Sequence, residues 1–193
     1  MLALAALVVC PAHAGQKRRP EPVVSVKSVS GGKYLINGSL LIPSPPPFVR
    51  EVVTDFDHLA EFIPNLKSSR VVSRGGDSVV VRQLGSSSFI VTRQVDLTIL
   101  FRASTTDSIP FHLLDGSIDE YDGSWRFLPE GAGVADSTHL VYRVTLGHGF
   151  HIPGILFRHI LSREVGEMMP AIAREVARRR TASSSSSSGR ARP

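Results

Sequence analysis

Apolar positions along the chain switch between a two-residue and a helical period, and the switches mark its elements. Residues 33–42 (KYLINGSLLI) read as a strand that Pro43 stops. Ser44 then stands before Pro45, Pro46 and Pro47, residues suited to a helix N-cap and first turn. From Phe48 to Ile63, Phe48, Val52, Phe56, Leu59 and Phe62 recur at helical spacing. The pattern predicts two short helices broken near Asp55-Phe56-Asp57 and ended by Pro64, a place that favours Asp55 and Asp57 as capping residues over an acid/base pair for dehydration chemistry.

Beyond Pro64 the chain becomes β-type, with strands expected over 69–73, 78–84, 89–102, 109–114, 124–128 and 139–146. Gly75-Gly76-Asp77, Gly85 to Ser88 and Pro129-Glu130-Gly131 mark turns between them. In the longest strand Phe89, Val91, Arg93, Val95, Leu97, Ile99 and Phe101 face one way, while Ile90, Thr92, Gln94, Asp96, Thr98, Leu100 and Arg102 face the other. One buried and one wet face is the mark of an antiparallel sheet.

A long helix closes the body, expected over 154–180, with Leu161, Val165, Met168, Met169, Ile172 and Val176 as its apolar stripe. Glu164, Glu167 and Arg174 are read as lying off the stripe, and Pro170 is expected to kink the helix or end it early. The order predicts an α+β fold: a curved antiparallel sheet of about seven strands packed on a long C-terminal helix, with two short helices after the first strand. A single helix across a curved sheet leaves space that is hard to fill, and ligand sites are concave and mostly apolar.

Both ends differ from the body. Residues 1–14 (MLALAALVVCPAHA) combine an apolar stretch with the small-x-small tripeptide Ala12-His13-Ala14, the pattern of a secretory signal peptide, although no Lys or Arg precedes it. The other reading of this stretch is a first apolar element of the domain. Residues 15–32 read as a linker or an extra strand, 33–180 as the domain, and 181–193 as a disordered Ser/Arg tail. Export to the periplasm or beyond follows if the N-terminal segment is a genuine signal.

Composition narrows the class. A hydrophobic share of 42% with 20% charged residues is a globular balance. The net charge of +5 sits in the last twenty residues, where six arginines face one acid, Glu175, while residues 1–173 are balanced. The body is therefore not a basic nucleic-acid binder, and transient contact of the basic tail with a membrane surface is the residual possibility that charge leaves open. No apolar run approaches the ~20 residues of a spanning helix, so no membrane span is expected once the signal is removed. Cys10 is the only cysteine, which excludes an intrachain disulfide and a Cys-clustered zinc site. His148, His151 and His159 lack a carboxylate at ligand-like spacing, and the P-loop, GxSxG and HExxH signatures are missing. No metal and no cofactor is expected.

Residues 48–71 (FVREVVTDFDHLAEFIPNLKSSRV) resemble the first helical segment of the START-like helix-grip (SRPBCC) superfamily, nearest its polyketide cyclase/dehydrase and coenzyme Q-binding branch. The resemblance is carried by Asp55, Phe56, the Phe62-x-Pro64 pair and the strand after them. Residues 123–129 (GSWRFLP), 138–144 (THLVYRV) and the final helix after Pro153 are similar to later elements of the same group. The resemblance covers about residues 33–180 and implies a deep cavity under the last helix for lipids, quinones or polyketides. Some members cyclise or dehydrate such ligands and others carry them. A ribosome-associated toxin branch also exists, and a secretion signal argues against it.

Arg93, in register with the buried stripe, is either a ligand anchor or a stem-packed cation whose head escapes at the sheet edge. Arg158, projected onto the apolar side near the start of the last helix, is either a gate or a surface arginine. Trp125 and Tyr142 suit a cavity wall with one polar tip, as well as plain core packing. Val95, Phe101, Val165, Met168 and Met169 complete the expected lining, and His112 is the one further ionisable group expected inside. These residues favour an exported binding or carrier protein for a hydrophobic small molecule, with Arg93 and Tyr142 orienting the ligand. The alternative is a cyclase or dehydratase acting on a polyketide-like ligand, which needs a positioned acid or base. A third reading is an interaction module with a filled core and an exposed apolar patch.

Overall fold

A computed structural model describes residues 21–87, 93–102, 105–131, 136–147 and 153–188, with backbone alone at 87, 93 and 186–188. The chain runs β1 (Val23–Val29), β2 (Lys33–Ile42), α1 (Pro46–Thr54), a 3-10 helix (Phe56–Glu61), β3 (Leu66–Gly75) and β4 (Ser78–Ser87). It continues through β5 (Arg93–Arg102), β6 (Ser108–Gly116), β7 (Glu120–Glu130), β8 (Ser137–Gly147) and α2 (Gly154–Ser188). One antiparallel sheet holds all eight strands in the order β1-β2-β8-β7-β6-β5-β4-β3. The helix-grip architecture is as expected, with one more strand than the seven read from sequence.

The additional strand is β1, within residues 15–32, which read from sequence as a linker or an extra strand. It forms a hairpin with β2 through a turn in which Gly31 and Gly32 adopt positive φ of 74° and 71°. Its alternation is easily missed because it is an edge strand: Val24 and Val26 pack on the core, while Val23 and Val29 are exposed. On β5, Leu97, Ile99 and Phe101 are buried as the alternation predicts. Bulges between Leu66 and Ser68 and between Val71 and Ser73 on β3, and opposite Thr98 and Ile99 at β5–β6, bend the far half of the sheet.

Helix α2 packs on β1 and β2 and touches α1, while α1 packs on β7 and β8. From α2, Phe157, Ile160, Leu161, Val165, Met169, Ile172 and Val176 are buried, each contributing about 1.5–3 kcal/mol of burial. Close approach of α2 to the sheet requires Gly38 on β2. A Cβ there would lie 2.6 Å from Val165 Cγ1 and within 3.8 Å of Met169.

Four local expectations are corrected. Ser44 does not cap α1; Pro45 holds that position, and the Ser44 side chain is buried while its carbonyl accepts from Thr138 Oγ1 at 2.6 Å. Asp55 caps nothing with its side chain, and Asp57 accepts from the N–H of Val71 on β3 at 2.8 Å, so it ties the helical break to the sheet. The last helix does not end at Pro170. Met169, Ala171 and Ile172 are all buried there, so packing holds both halves across the one missing N–H. The helix also runs on to Ser188 rather than stopping at Arg180. The hydroxyls of Ser183, Ser184 and Ser185 bond back to the carbonyls of Arg179, Thr181 and Ala182. Residues 1–14 and 189–193 lie outside the described residues.

The arginines at the end of α2 are used as staples. Arg179 reaches Asp55 Oδ2 at 2.7 Å and Glu175 at 2.6 Å, Arg178 pairs with Glu175 at 2.7 Å, and Arg180 donates to the Pro43 carbonyl. Burial alone raises the Asp55 carboxyl, but hydrogen bonds from His58 and Arg179 outweigh it and hold it below its ordinary value. Glu175 is pulled down to about 2, chiefly by the Arg178 hydrogen bond, which with Arg179 overcomes its burial. The resemblance-bearing Asp55 is thus a latch between the α1 break and the end of α2.

Candidate functional site

Between α2, the helical break and the sheet lies a cavity of about 700 Å³. Strand alternation and helix periodicity converge on it. Val95, Leu97 and Phe101 enter from β5, Trp125 and Tyr121 from β7, and Tyr142 and Leu146 from β8. Phe157, Leu161, Val165 and Met168 enter from α2, and Phe56 and Leu59 from the 3-10 helix. The wall is mostly apolar and rich in rings: Phe56 and Phe101 have centroids 4.5 Å apart, Phe101 and Phe111 5.4 Å, and Trp125 and Tyr142 4.5 Å.

Besides Gln83 and Ser86 of β4, two polar features interrupt this wall. The hydroxyls of Tyr121 and Tyr142 lie 2.7 Å apart, reaching diagonally between neighbouring strands, since Tyr121 pairs with Leu146 and Tyr142 with Trp125. Phe111 stacks beside both rings, at 5.2 Å from Tyr121 and 6.1 Å from Tyr142. Gly123 makes room for that stack, since a Cβ there would come within 2.8 Å of Phe111 Cζ. Burial raises the Tyr121 phenol, and burial together with the neighbouring Tyr121 drives Tyr142 well above the usual tyrosine value. Both are therefore neutral donors at physiological pH.

The second feature is Glu164 of α2, which accepts from Asn65 Nδ2 at 3.0 Å. Asn65 sits in the left-handed region with φ 63°, a conformation asparagine tolerates, and its carbonyl accepts from the N–H of Ser86 at 2.8 Å. Because Asn65 is exposed, this bridge belongs to the cavity rim. Burial raises the Glu164 carboxyl, and the Asn65 hydrogen bond opposes the rise. Among the described lining residues Glu164 is the only Asp, Glu, His, Lys or Arg.

Of the residues expected from sequence, Val95, Phe101, Trp125, Tyr142, Val165 and Met168 meet at the cavity. Met169 is fully buried but packs toward Gly38 of β2 rather than the cavity. His112 is not in the wall: it follows Phe111, which points inward, so alternation turns it to the other face. Arg158 is exposed, one position beyond the buried Phe157 and so rotated ~100° off the stripe. The Arg93 backbone pairs with Ser87 at the start of β5, and its side chain lies outside the described residues. His148 and His151 lie outside them too. His159 is exposed, and among the described residues no three His, Cys, Asp or Glu side chains gather as a metal site.

Tyr121 and Glu164 were missed. Tyr121 fell before the expected strand 124–128, although it lies four residues from Trp125 and so on the same strand face. Glu164 is read from sequence as lying off the stripe, although it stands seven residues after Phe157 and three after Leu161. Together the groups present can enclose an apolar molecule, donate hydrogen bonds from neutral phenols and offer one carboxyl at the rim. No helix among the described residues is long and apolar enough to cross a membrane.

Comparison with solved structures gives the same architecture. A START superfamily protein from Mycobacterium smegmatis superimposes with a TM-score of 0.65 at 16% identity, covering 75% of this chain and 97% of that one. The Zhui aromatase/cyclase from Streptomyces sp. R1128 gives 0.64 at 17% identity, covering 76% and 95%. A STAR-related lipid transfer protein from Xanthomonas axonopodis gives 0.63 at 13% identity, covering 80% and 98%. No protein of curated function matches the chain in sequence. The sequence profile of one family matches residues 42–173, from the end of β2 through most of α2, and the chain belongs to that family, polyketide cyclase/dehydrase and lipid transport.

Proposed function

We propose that this protein binds a hydrophobic small molecule of lipid, isoprenoid quinone or polyketide type beneath α2 and carries it, as an exported protein. The observation behind this reading is the apolar cavity of about 700 Å³, within the 300–1,000 Å³ range typical of ligand sites. Its wall offers burial, worth about 25 cal/mol per Å² before ordering costs, but little acid–base machinery. The family description, which joins cyclases with lipid transport, supports it at the level of ligand class.

Native mass spectrometry of protein purified gently from its source, with lipid analysis of the same sample, tests the carrier reading. A stoichiometric apolar adduct is expected. Trp125, the only tryptophan, lines the cavity and supplies a second readout, a shift of emission on titration with apolar ligands. An apo mass combined with no response to lipids, quinones or hydrophobic dyes would remove the proposal. Export is tested by sequencing the N-terminus of the same sample, expected at Gly15.

Glu164 favours a second reading. A carboxyl raised by burial at the cavity rim is the kind of group that a cyclase or dehydratase positions as acid or base. Chemical change of the bound ligand by the wild type, abolished in Glu164→Gln with binding retained, would select the enzyme over the carrier.

A further inference from the structure

The Tyr121–Tyr142 pair carries more than packing. Each phenol has one hydrogen to donate, and the 2.7 Å contact between the two oxygens uses one of them. Among the described residues neither hydroxyl has another hydrogen-bond partner. One O–H donor is therefore left in an apolar wall, where an unmatched polar group is costly. The rings have little freedom to move it away, because Phe111 stacks on both and Trp125 lies against Tyr142. The phenol that accepts within the pair is also polarised by doing so, which strengthens its own donation.

We propose that this pair is the polar anchor of the cavity and that it selects ligands ending in a neutral carbonyl oxygen, such as a ketone or quinone, set on an apolar body. The inference rests on the binding function above and names the ligand chemistry. A carbonyl oxygen accepts without bringing a hydrogen of its own, so it completes the pair with no donor left over. Among the described lining residues there is no Lys, Arg or His, and Glu164 is the only one that can carry a formal charge at neutral pH. A carboxylate ligand would find there a like charge and no counter-ion.

Three probes of one shape separate the possibilities: 2-acetylnaphthalene, a neutral ketone; 2-ethylnaphthalene, its hydrocarbon counterpart; and 2-naphthoate, an anion. Their affinities are measured by equilibrium dialysis against wild type and the Tyr121→Phe/Tyr142→Phe variant. The variant is expected to bind the ketone about 3- to 10-fold more weakly, the range of one buried hydrogen bond, with the hydrocarbon unchanged. Unchanged hydrocarbon affinity shows that the cavity is intact. Equal ketone affinity in both proteins would overturn the inference and leave the binding function standing, whereas failure of all three probes to bind would remove the binding function itself. Tightest binding of 2-naphthoate, lost in Arg93→Ala, would replace the phenol anchor by a cationic one. Should the double variant not fold, infrared spectra of the ketone bound to wild type decide: a carbonyl stretch lowered from its value in hydrocarbon solvent is expected, and an unshifted stretch refutes the anchor.

Discussion

Adding a single methyl at Gly38 tests how closely α2 is held to the sheet. The new Cβ would sit 2.6 Å from Val165 Cγ1, about 1 Å short of the 3.5–4.0 Å at which carbons rest. Val165 cannot easily turn aside, because a β-branched side chain in a helix has one strongly preferred rotamer. The helix itself must then yield. Overpacking of this kind costs about 1–3 kcal/mol, and the backbone advantage of Ala over Gly in a strand returns about 0.5–1 kcal/mol. Gly38→Ala should therefore lose about 0.5–2 kcal/mol net. At roughly 2–4 °C per kcal/mol for a chain of this size, Tm falls by about 1–8 °C. Urea unfolding of wild type, Gly38→Ala, Val165→Ala and the double variant forms a cycle. Trimming Val165 should be harmful alone, by opening the cavity, and restorative in the Gly38→Ala background. If the two losses simply add, to within about 0.5 kcal/mol, the contact does not set the helix position.

Other expectations follow from the charged and polar groups. Glu164→Gln should be more stable than wild type at neutral pH. A carboxyl raised in the folded state favours folding only while protonated, so the gap should close as pH falls below the unfolded value; melts between pH 4 and 8 check this. The opposite sign holds for Asp55 and Glu175, both depressed in the folded protein. Their contribution is present above the unfolded values and is lost as pH falls, for Glu175 toward about 2. Arg179→Met should flatten that acid limb, and a limb identical to wild type would show that the latch carries no stability. Ser44→Ala removes a buried hydroxyl with no partner among the described residues, so denaturant titration should find it neutral or stabilised by up to ~1 kcal/mol. A loss above that would reveal a partner.

Much of the architecture was legible because one face of each long element is buried. The inward series Val95, Leu97, Ile99 and Phe101, and the α2 stripe from Leu161 to Val176, could be placed from period alone. Edge strand β1 could not, since half-exposed valines interleaved with serine and lysine give weak contrast. Within the site, hydrophobicity worked as a guide to Trp125 and Met168 and misled at Glu164, where position on the helix mattered more than charge. His112 shows the converse: an ionisable residue in a strand is inward or outward by parity with its neighbours, and Phe111 had taken the inner side. The Tyr121–Tyr142 contact depends on the register between β7 and β8, which no single strand reveals.

The strand order also shapes how the chain must be made. Strand β2 pairs on one side with β1, its immediate neighbour in sequence, and on the other with β8, where Tyr34 meets Leu146. A ribosome adding about 5–20 residues per second needs on the order of ten seconds to pass from one partner to the other. Throughout that interval the β2 edge of the nascent hairpin has nothing to bond, in addition to the outer edge of β1 that stays open in the finished sheet, the arrangement that recruits stray strands. Neither half of the sheet closes on the other until β8 has emerged, and α2, which covers the hairpin, comes later still. Such non-local pairing favours slow, late folding. The hairpin is accordingly the segment whose aggregation during synthesis should respond most to chaperone supply.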